Sequence, residues 1–225
     1  MELSIDTASE LASVSLSEEG CLSAEITWRC RRNHSVELLP AIERLLAQAG
    51  AAKSGLSAVF VCAGPGMYTG LRVGISVAKG LAYAMGIPIA GVGRLELDAY
   101  PHAAFPGAIV AVHRAGRGEL AWACYAGSPW RELAAPRLSR PEELADAVQE
   151  RTLFAGEIDE KLADLLRDKA GERAVLAPAA ASVRRAGTLA ELGFARLSER
   201  GPDDAGSLRP IYLRPPAVRP QEPGP

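Results

Sequence analysis

Between Ala58 and Met85 the chain reads as an apolar strand, a glycine-rich loop and a helix with apolar residues on every side. Ala58 to Cys62 contains no charged or hydroxyl residue, as expected of a strand covered on both faces. The loop Gly64-Pro65-Gly66-Met67-Tyr68-Thr69-Gly70 follows, and a helix is expected from Thr69, its cap, to Met85. Leu71, Val73, Ile75, Val77, Leu81, Tyr83 and Met85 spread around its circumference, and only Arg72 and Lys79 are charged. Such a helix must be covered on more than one side. Gly70, Gly74, Ala78 and Ala82 form a small-residue stripe at i, i+4 spacing, which lets a second helix come close. That helix belongs either to the same chain or to a partner subunit.

The flanking pattern supplies the rest of a lobe. Leu3–Asp6, Ala12–Leu16 and Cys21–Trp28 read as three strands of an antiparallel meander, with a turn at Ser17–Gly20. A helix is expected over Ser35–Ala49, capped by Ser35, bent near Pro40 and stopped by Gly50. Ile87–Val92 closes the unit. The order is βββαβα plus a strand, and it recurs. Ala108–Val112 and Glu119–Tyr125 are expected strands around a turn at Arg114–Gly118, with a weaker strand over Trp130–Leu138. Ser139 and Glu142 have capping-box spacing before a helix to about Glu150. Strand Thr152–Ala155, helix Ile158–Lys169, strand Ala174–Leu176 and helix Ser182–Leu192 follow. This implies two α/β lobes, 1–105 and 106–209. The last segment, 210–225, is rich in proline; Ile211-Tyr212-Leu213 is expected to dock on the body, and a disordered tail is expected beyond Pro215.

Composition excludes several functions. Lys plus Arg is 25 against 27 for Asp plus Glu, so the chain lacks the basic footprint of an independent nucleic-acid binder. Its three His, His34, His102 and His113, never stand at metal-ligand spacing. The four Cys contain no C-x-x-C pair and read as small buried residues of a reduced compartment. The longest apolar run is broken by Arg72, Lys79 and Pro88, against a membrane span. The opening strand leaves no room for a signal peptide, so a cytoplasmic protein is expected.

Few residues suggest chemistry. Gly64, Pro65 and Gly66 ahead of a helix fit either a phosphate cradle or a tight turn without a ligand. The G-x-G-x-x-x-G spacing is not that of a dinucleotide fingerprint, and no Lys follows Gly70 as a P-loop requires. Asp6 and Thr7 at a strand end suit a phosphate-bound metal or an Asx turn. His34 beside Ser35 reads as a surface His next to a capping Ser, and His113 as part of an exposed turn.

IDTASELASVSL, HSVELLPAIERLL, AGPGMYTGLRVGISVAKGLAYAMGIPIAGV and PIYLR together resemble the bacterial TsaB (YeaZ) family. The match is dense over residues 3–99, loose beyond, and returns at Pro210–Arg214. The resemblance implies an actin/Hsp70-type (ASKHA) fold of duplicated βββαβα lobes, the second one reduced. It implies a non-catalytic subunit for making threonylcarbamoyladenosine in tRNA, supporting the catalytic relative TsaD, with the ATPase TsaE and with tRNA reached only through the complex. Contact with TsaD, or with a second copy, is expected through the first two helices. The matching positions are Val36, Leu39, Glu43 and Leu46, then Gly70, Leu71, Gly74, Ile75, Ala78, Lys79 and Ala82. Asp6, Thr7, Gly64, Pro65 and Gly66 would be the remains of a phosphate site, and no cofactor is assigned beyond ATP or ADP at a subunit interface. The stretch VHRAGRGELAWACY departs from the family, with His113-Arg114 where relatives carry an acidic residue followed by Ala-Arg. That departure leaves Asp6 without an obvious partner. The rival readings are an ATP-dependent phosphotransferase of the same fold, a homodimeric interaction protein without a tRNA role, and a peptidase, for which no metal or nucleophile arrangement exists.

Overall fold

The structure is a computed structural model that describes residues 1–31 and 33–214. The expected tail beyond Pro215 lies outside the described residues. Two five-stranded sheets carry the duplicated order. The first holds β1 (Glu2–Asp6), β2 (Leu11–Glu18), β3 (Cys21–Arg29), β4 (Ala58–Gly64) and β5 (Ile89–Gly93) in the order β3-β2-β1-β4-β5. The second holds β6 (Ala108–Gly116), β7 (Glu119–Ala126), β8 (Arg131–Ser139), β9 (Thr152–Gly156) and β10 (Ala174–Leu176) in the order β10-β9-β6-β7-β8. In each sheet the three leading strands pair antiparallel, and the later strands add in parallel.

Alternation along the strands sets what each face meets. On one face of the first sheet Leu3, Ile5, Val14, Leu16, Val59 and Val61 pack under α1 (His34–Gln48) and α2 (Tyr68–Met85). On the other, Phe60, Cys62, Ala90 and Val92 meet Leu189 and Leu192 of α6 (Ala186–Arg200). Gly193 of α6 sits so close to the Phe60 ring that any side chain there would collide with it. The second sheet packs Val112, Trp122 and Phe154 on α4 (Pro141–Asp146) and α5 (Glu160–Ala170). Its other face is covered by Leu95 and Ala99 of α3 (Arg94–Ala99). The halves therefore exchange covers: α3, from the first half, lies on the second sheet, and α6, from the second half, lies on the first. Helix 186–200 thus belongs by packing to the first sheet, although by position it falls in the segment 106–209.

Several local expectations are corrected. Neither Ser35 nor Thr69 caps a helix; α1 and α2 begin after Asn33 and Met67 without a side-chain cap. Ser139 does not cap α4, because Arg140 holds the N-cap position; the Ser139 hydroxyl instead accepts from Trp122 Nε1 at 2.9 Å. That helix stops at Asp146 instead of Glu150, and the helix expected from Ser182 begins at Ala186. Gly86 takes the left-handed conformation that ends α2, with φ +63°. The four cysteines are free; Cys30 and Cys62 are buried as expected, but Cys21 is exposed.

Candidate functional site

Asp6, Thr7 and the Gly64–Gly66 loop come together at the end of β1; Pro65 and Gly66 line the cleft between the lobes, while Asp6 and Thr7 are buried. The loop does pack against the end of β1. Met67 N–H donates to Ala8 O at 2.8 Å, and a side chain on Gly66 would collide with that carbonyl. Thr7 Oγ1 donates to Gly70 O at 2.8 Å. Asp6 is buried, and both its oxygens are used within the chain: Oδ1 accepts from Ala8 N–H at 2.8 Å, and Oδ2 from Arg184 Nε at 2.7 Å. Arg184 is the partner the sequence left unnamed. Its Nη2 also donates to Ser9 Oγ at 2.8 Å, and its Nη1 lies 3.5 Å from Asp98 Oδ1.

From Asp98 the charges continue across the lobes. Arg94, on α3 and 1% exposed, lies 3.5 Å through Nε from Asp98 Oδ2. Its Nη1 is 2.6 Å from His113 Nδ1, and its Nη2 donates to Glu157 Oε1. His113 Nδ1 also lies 3.0 Å from Glu157 Oε2, so it accepts from the guanidinium in one tautomer and donates to the carboxylate in the other. His113 is therefore not in an exposed turn; it lies on β6 inside this network. Burial pushes Asp6 up, but the Arg184 charge and hydrogen bond outweigh it and hold the carboxyl below its usual value. Burial likewise opposes ionisation of Glu157, yet the His113 ring and Arg94 hold it well below the carboxylate range. Asp98 goes the other way, its burial outweighing both guanidiniums.

The residues do not fit a metal or a nucleophilic centre. His34 is buried, not at the surface, and its Nε2 donates to Ser9 O at 2.8 Å. Among the described residues no group of three or more His, Cys, Asp or Glu is placed to hold a metal ion. Burial pushes the Cys30 thiol up to about 11 and the Cys62 thiol higher still, so neither is a ready nucleophile.

The small-residue stripe is internal. Gly70, Leu71, Gly74, Ile75, Ala78 and Ala82 are buried against the chain's own sheet, as is Leu46 of α1. Side chains on Gly70 and Gly74 would strike Thr7 O and Thr7 Oγ1. These seven positions are not a surface, so Gly74→Glu or Ala78→Glu would break the fold before it tested any partner. Of the expected contact residues, Val36, Leu39 and Glu43 are exposed, and Lys79 is half-buried. The outward ridge of α2 runs instead through Thr69, Ser76, Gly80 and Tyr83, with Val73 and Val77 on the flank facing α1. Val36 is 71% exposed, Leu39 51% and Tyr83 89%, an apolar set at the outer side of two adjacent helices.

Ile211-Tyr212-Leu213 does dock. Ile211 N–H donates to Ala63 O at 2.8 Å, Tyr212 stacks on Tyr68 with centroids 5.4 Å apart, and Arg214 pairs with Glu119 of the second sheet. The segment walls a cleft of about 370 Å³ between the lobes, together with Pro65, Met67 and His113.

A family model described as TsaD: tRNA N6-adenosine threonylcarbamoyltransferase matches residues 28–196. The Bacillus subtilis (strain 168) tRNA threonylcarbamoyladenosine biosynthesis protein TsaB is 32% identical over 217 residues, 94% of this chain and 93% of that protein. The protein of that name from Escherichia coli (strain K12) is 32% identical over 153 residues, 66% of each. The solved structure of YeaZ from Pseudomonas aeruginosa superimposes with a TM-score of 0.76 at 27% identity, covering 94% of this chain and 99% of that one. With its duplicated sheets and these matches along nearly its whole length, the chain belongs to the TsaB (YeaZ) branch of the TsaD-type family.

Proposed function

We propose that this chain is a non-catalytic subunit in the synthesis of threonylcarbamoyladenosine in tRNA, acting by docking on a TsaD-type catalytic subunit. The observation that carries this reading is the contrast between its two candidate sites. The Asp6 carboxylate is buried, and each of its oxygens already accepts a hydrogen bond, from Ala8 N–H and from Arg184 Nε, instead of facing a metal-bound phosphate. On the outside, Val36, Leu39 and Tyr83 stand unburied where two helices lie side by side. Burying such a patch against a partner helix pair removes apolar area from water, at about 25 cal/mol per Å². An ATPase of the TsaE type and tRNA then meet the assembled complex, and any ATP or ADP belongs at the joint between subunits. This reading places the chain beside tRNA, in the cytoplasm. No described helix is long and apolar enough to cross a membrane.

The test is reconstitution with the TsaD- and TsaE-type subunits of the same organism and tRNA, scored for modified adenosine. Activity that needs this chain and is lost in Leu39→Asp and Tyr83→Glu, both folded, supports the reading. Full activity without the chain would sink it. Self-association through the same face is the second reading, favoured by the same exposed residues. Mass measurement with and without the TsaD-type subunit separates the two.

A further inference from the structure

The flank of α2 that faces away from α1 is built differently from its outward ridge. At 100° per residue, Tyr68, Arg72, Ile75 and Lys79 share one side of the helix, and the C-terminal segment lies along it. Asp203 N–H donates to Ile89 O at 2.9 Å, and Asp203 Oδ2 accepts from Gly91 N–H at 2.7 Å, tying the segment to the edge of β5. Leu208 then joins the core under α2. Together the helix and the segment line a groove of about 470 Å³. Arg72, Lys79 and Arg209 line it, and among the described residues no carboxylate does.

The cations of this groove are held in place, and among the described residues none is in a salt bridge. Arg72 lies over the Tyr68 ring, 4.1 Å from its centroid, and its Nε donates to Tyr212 Oη at 3.2 Å. Tyr212 is in turn stacked on Tyr68. The guanidinium is thus held by the Tyr68 ring and the Tyr212 hydroxyl, with Nη1 and Nη2 left to form the fork that suits a carboxylate. Lys79 Nζ donates to Gly206 O and Leu208 O, at 3.3 and 3.4 Å, and Arg209 Nη1 to Gly206 O at 2.7 Å. Asp204 feels the Lys79 charge, but its oxygens accept from Gly206 N–H and Ser207 N–H. Among the described residues none of these three cations has a carboxylate within salt-bridge distance. Holding a cation in one geometry beforehand lowers the ordering loss when its partner arrives.

We infer that this groove receives a carboxylate side chain of the subunit that docks on the α1–α2 face, with the Tyr68–Tyr212 pair holding Arg72 for it. The inference rests on the proposed docking and adds the chemistry of its rim. Ser76 belongs both to the groove lining and to the outward ridge, so an occupant of the ridge brings its own flank over Arg72. The chain's formal net charge of −2 makes the cationic groove a local feature, suited to one acidic side chain rather than a long polyanion.

The experiment measures affinity of the full chain for the TsaD-type subunit of the same organism at 50 and 300 mM salt. Arg72→Gln is expected to weaken binding at least tenfold at low salt and to flatten the salt dependence, with its melting temperature unchanged. Tyr212→Leu, which keeps the charge but removes the clamp, is expected to weaken binding several-fold. Unchanged affinity and salt dependence in Arg72→Gln overturns the inference. If Leu39→Asp still abolishes binding in that case, the docking itself stands. Binding that no variant on either surface alters removes both readings. Arg72-dependent retention of tRNA by the chain alone assigns the groove to phosphate instead and overturns the carboxylate.

Discussion

Arg184 reaches Asp6 with a 2.7 Å hydrogen bond from Nε to Oδ2, although 178 positions separate them in the chain. The contact joins the end of the first strand to the residues that enter α6, and both side chains are almost wholly buried. Through Asp98 and Arg94 it continues to His113 on the second sheet and to Glu157 just past the end of β9. The two helices that exchange between lobes, α3 and α6, therefore carry or directly follow the two buried guanidiniums. The lobes are set against each other by charges of the chain itself.

Removing one partner of such a pair leaves the other charge buried alone. Arg184→Ala is expected to lower stability by about 3–5 kcal/mol. Asp6→Ala in the same background should recover part of that loss, since the Asp6 carboxylate is then no longer buried without its cation, while Asp98 keeps Arg94. Urea unfolding of the two singles and the double gives the coupling energy. An additive result would mean that Arg184 acts by packing, not by charge.

The network also predicts a pH dependence. Burial, with Arg94 adding to it, lowers the His113 pKa from its ordinary 6.5, and burial lowers that of His102. The unfolded chain takes up protons on these rings as pH falls through about 6.5, while the folded chain resists. Their contribution is thus complete above that pH and is lost as pH falls toward the depressed folded values. Thermal unfolding between pH 7.5 and 5.5 should show the decline, and His113→Gln should flatten it. An identical slope in that variant would clear His113 of the effect.

The doubled βββαβα order was legible because it rests on local periodicity: the all-apolar run at Ala58, the alternation at Ala12 and the stripe of α1. The network was not, because nothing local separates its members from surface residues. Arg184 and Arg185 are neighbours of one type, yet Arg184 is 6% exposed on Asp6 and Arg185 is 63% exposed on Glu25. Helix α3 is hidden in the sequence for a similar reason. Arg94-Leu-Glu-Leu-Asp-Ala99 is short and charged, and only the second sheet beside it makes its polar residues internal. The small stripe of α2 shows the opposite error. Its spacing correctly announced a close approach, but the thing approached is Thr7, just past β1 of the same chain.

That correction separates the glycines of α2 by sign. Gly74→Ala puts a methyl group onto Thr7 Oγ1 and is expected to destabilise by about 1–3 kcal/mol. Gly80 faces open space, with no atom of a neighbouring element within 4 Å of where a methyl group would stand. Gly80→Ala should therefore stabilise by about 0.5–1 kcal/mol, the ordinary gain from restricting a helical glycine. Melting temperatures of the two variants decide; a stabilising Gly74→Ala would return the stripe to the surface.

The serine row of the first sheet predicts opposite signs within one seam. Ser4, Ser13 and Ser15 alternate onto the face covered by α6, are fully buried, and among the described residues have no hydrogen-bond partner for Oγ. A hydroxyl buried without a partner is destabilising relative to a methyl group. Ser13→Ala and Ser15→Ala are each expected to raise stability by about 1 kcal/mol. Ser17 ends the same row, but its Oγ donates to Glu2 Oε2 at 2.6 Å. Glu2 is itself buried, so Ser17→Ala removes a donor from a carboxylate and should lower stability by about 1.5–3 kcal/mol. Chemical denaturation of the three variants under one condition checks the pattern. If Ser13→Ala destabilises as Ser17→Ala does, the orphaned hydroxyls have a partner in solution, and the seam beneath α6 is hydrated.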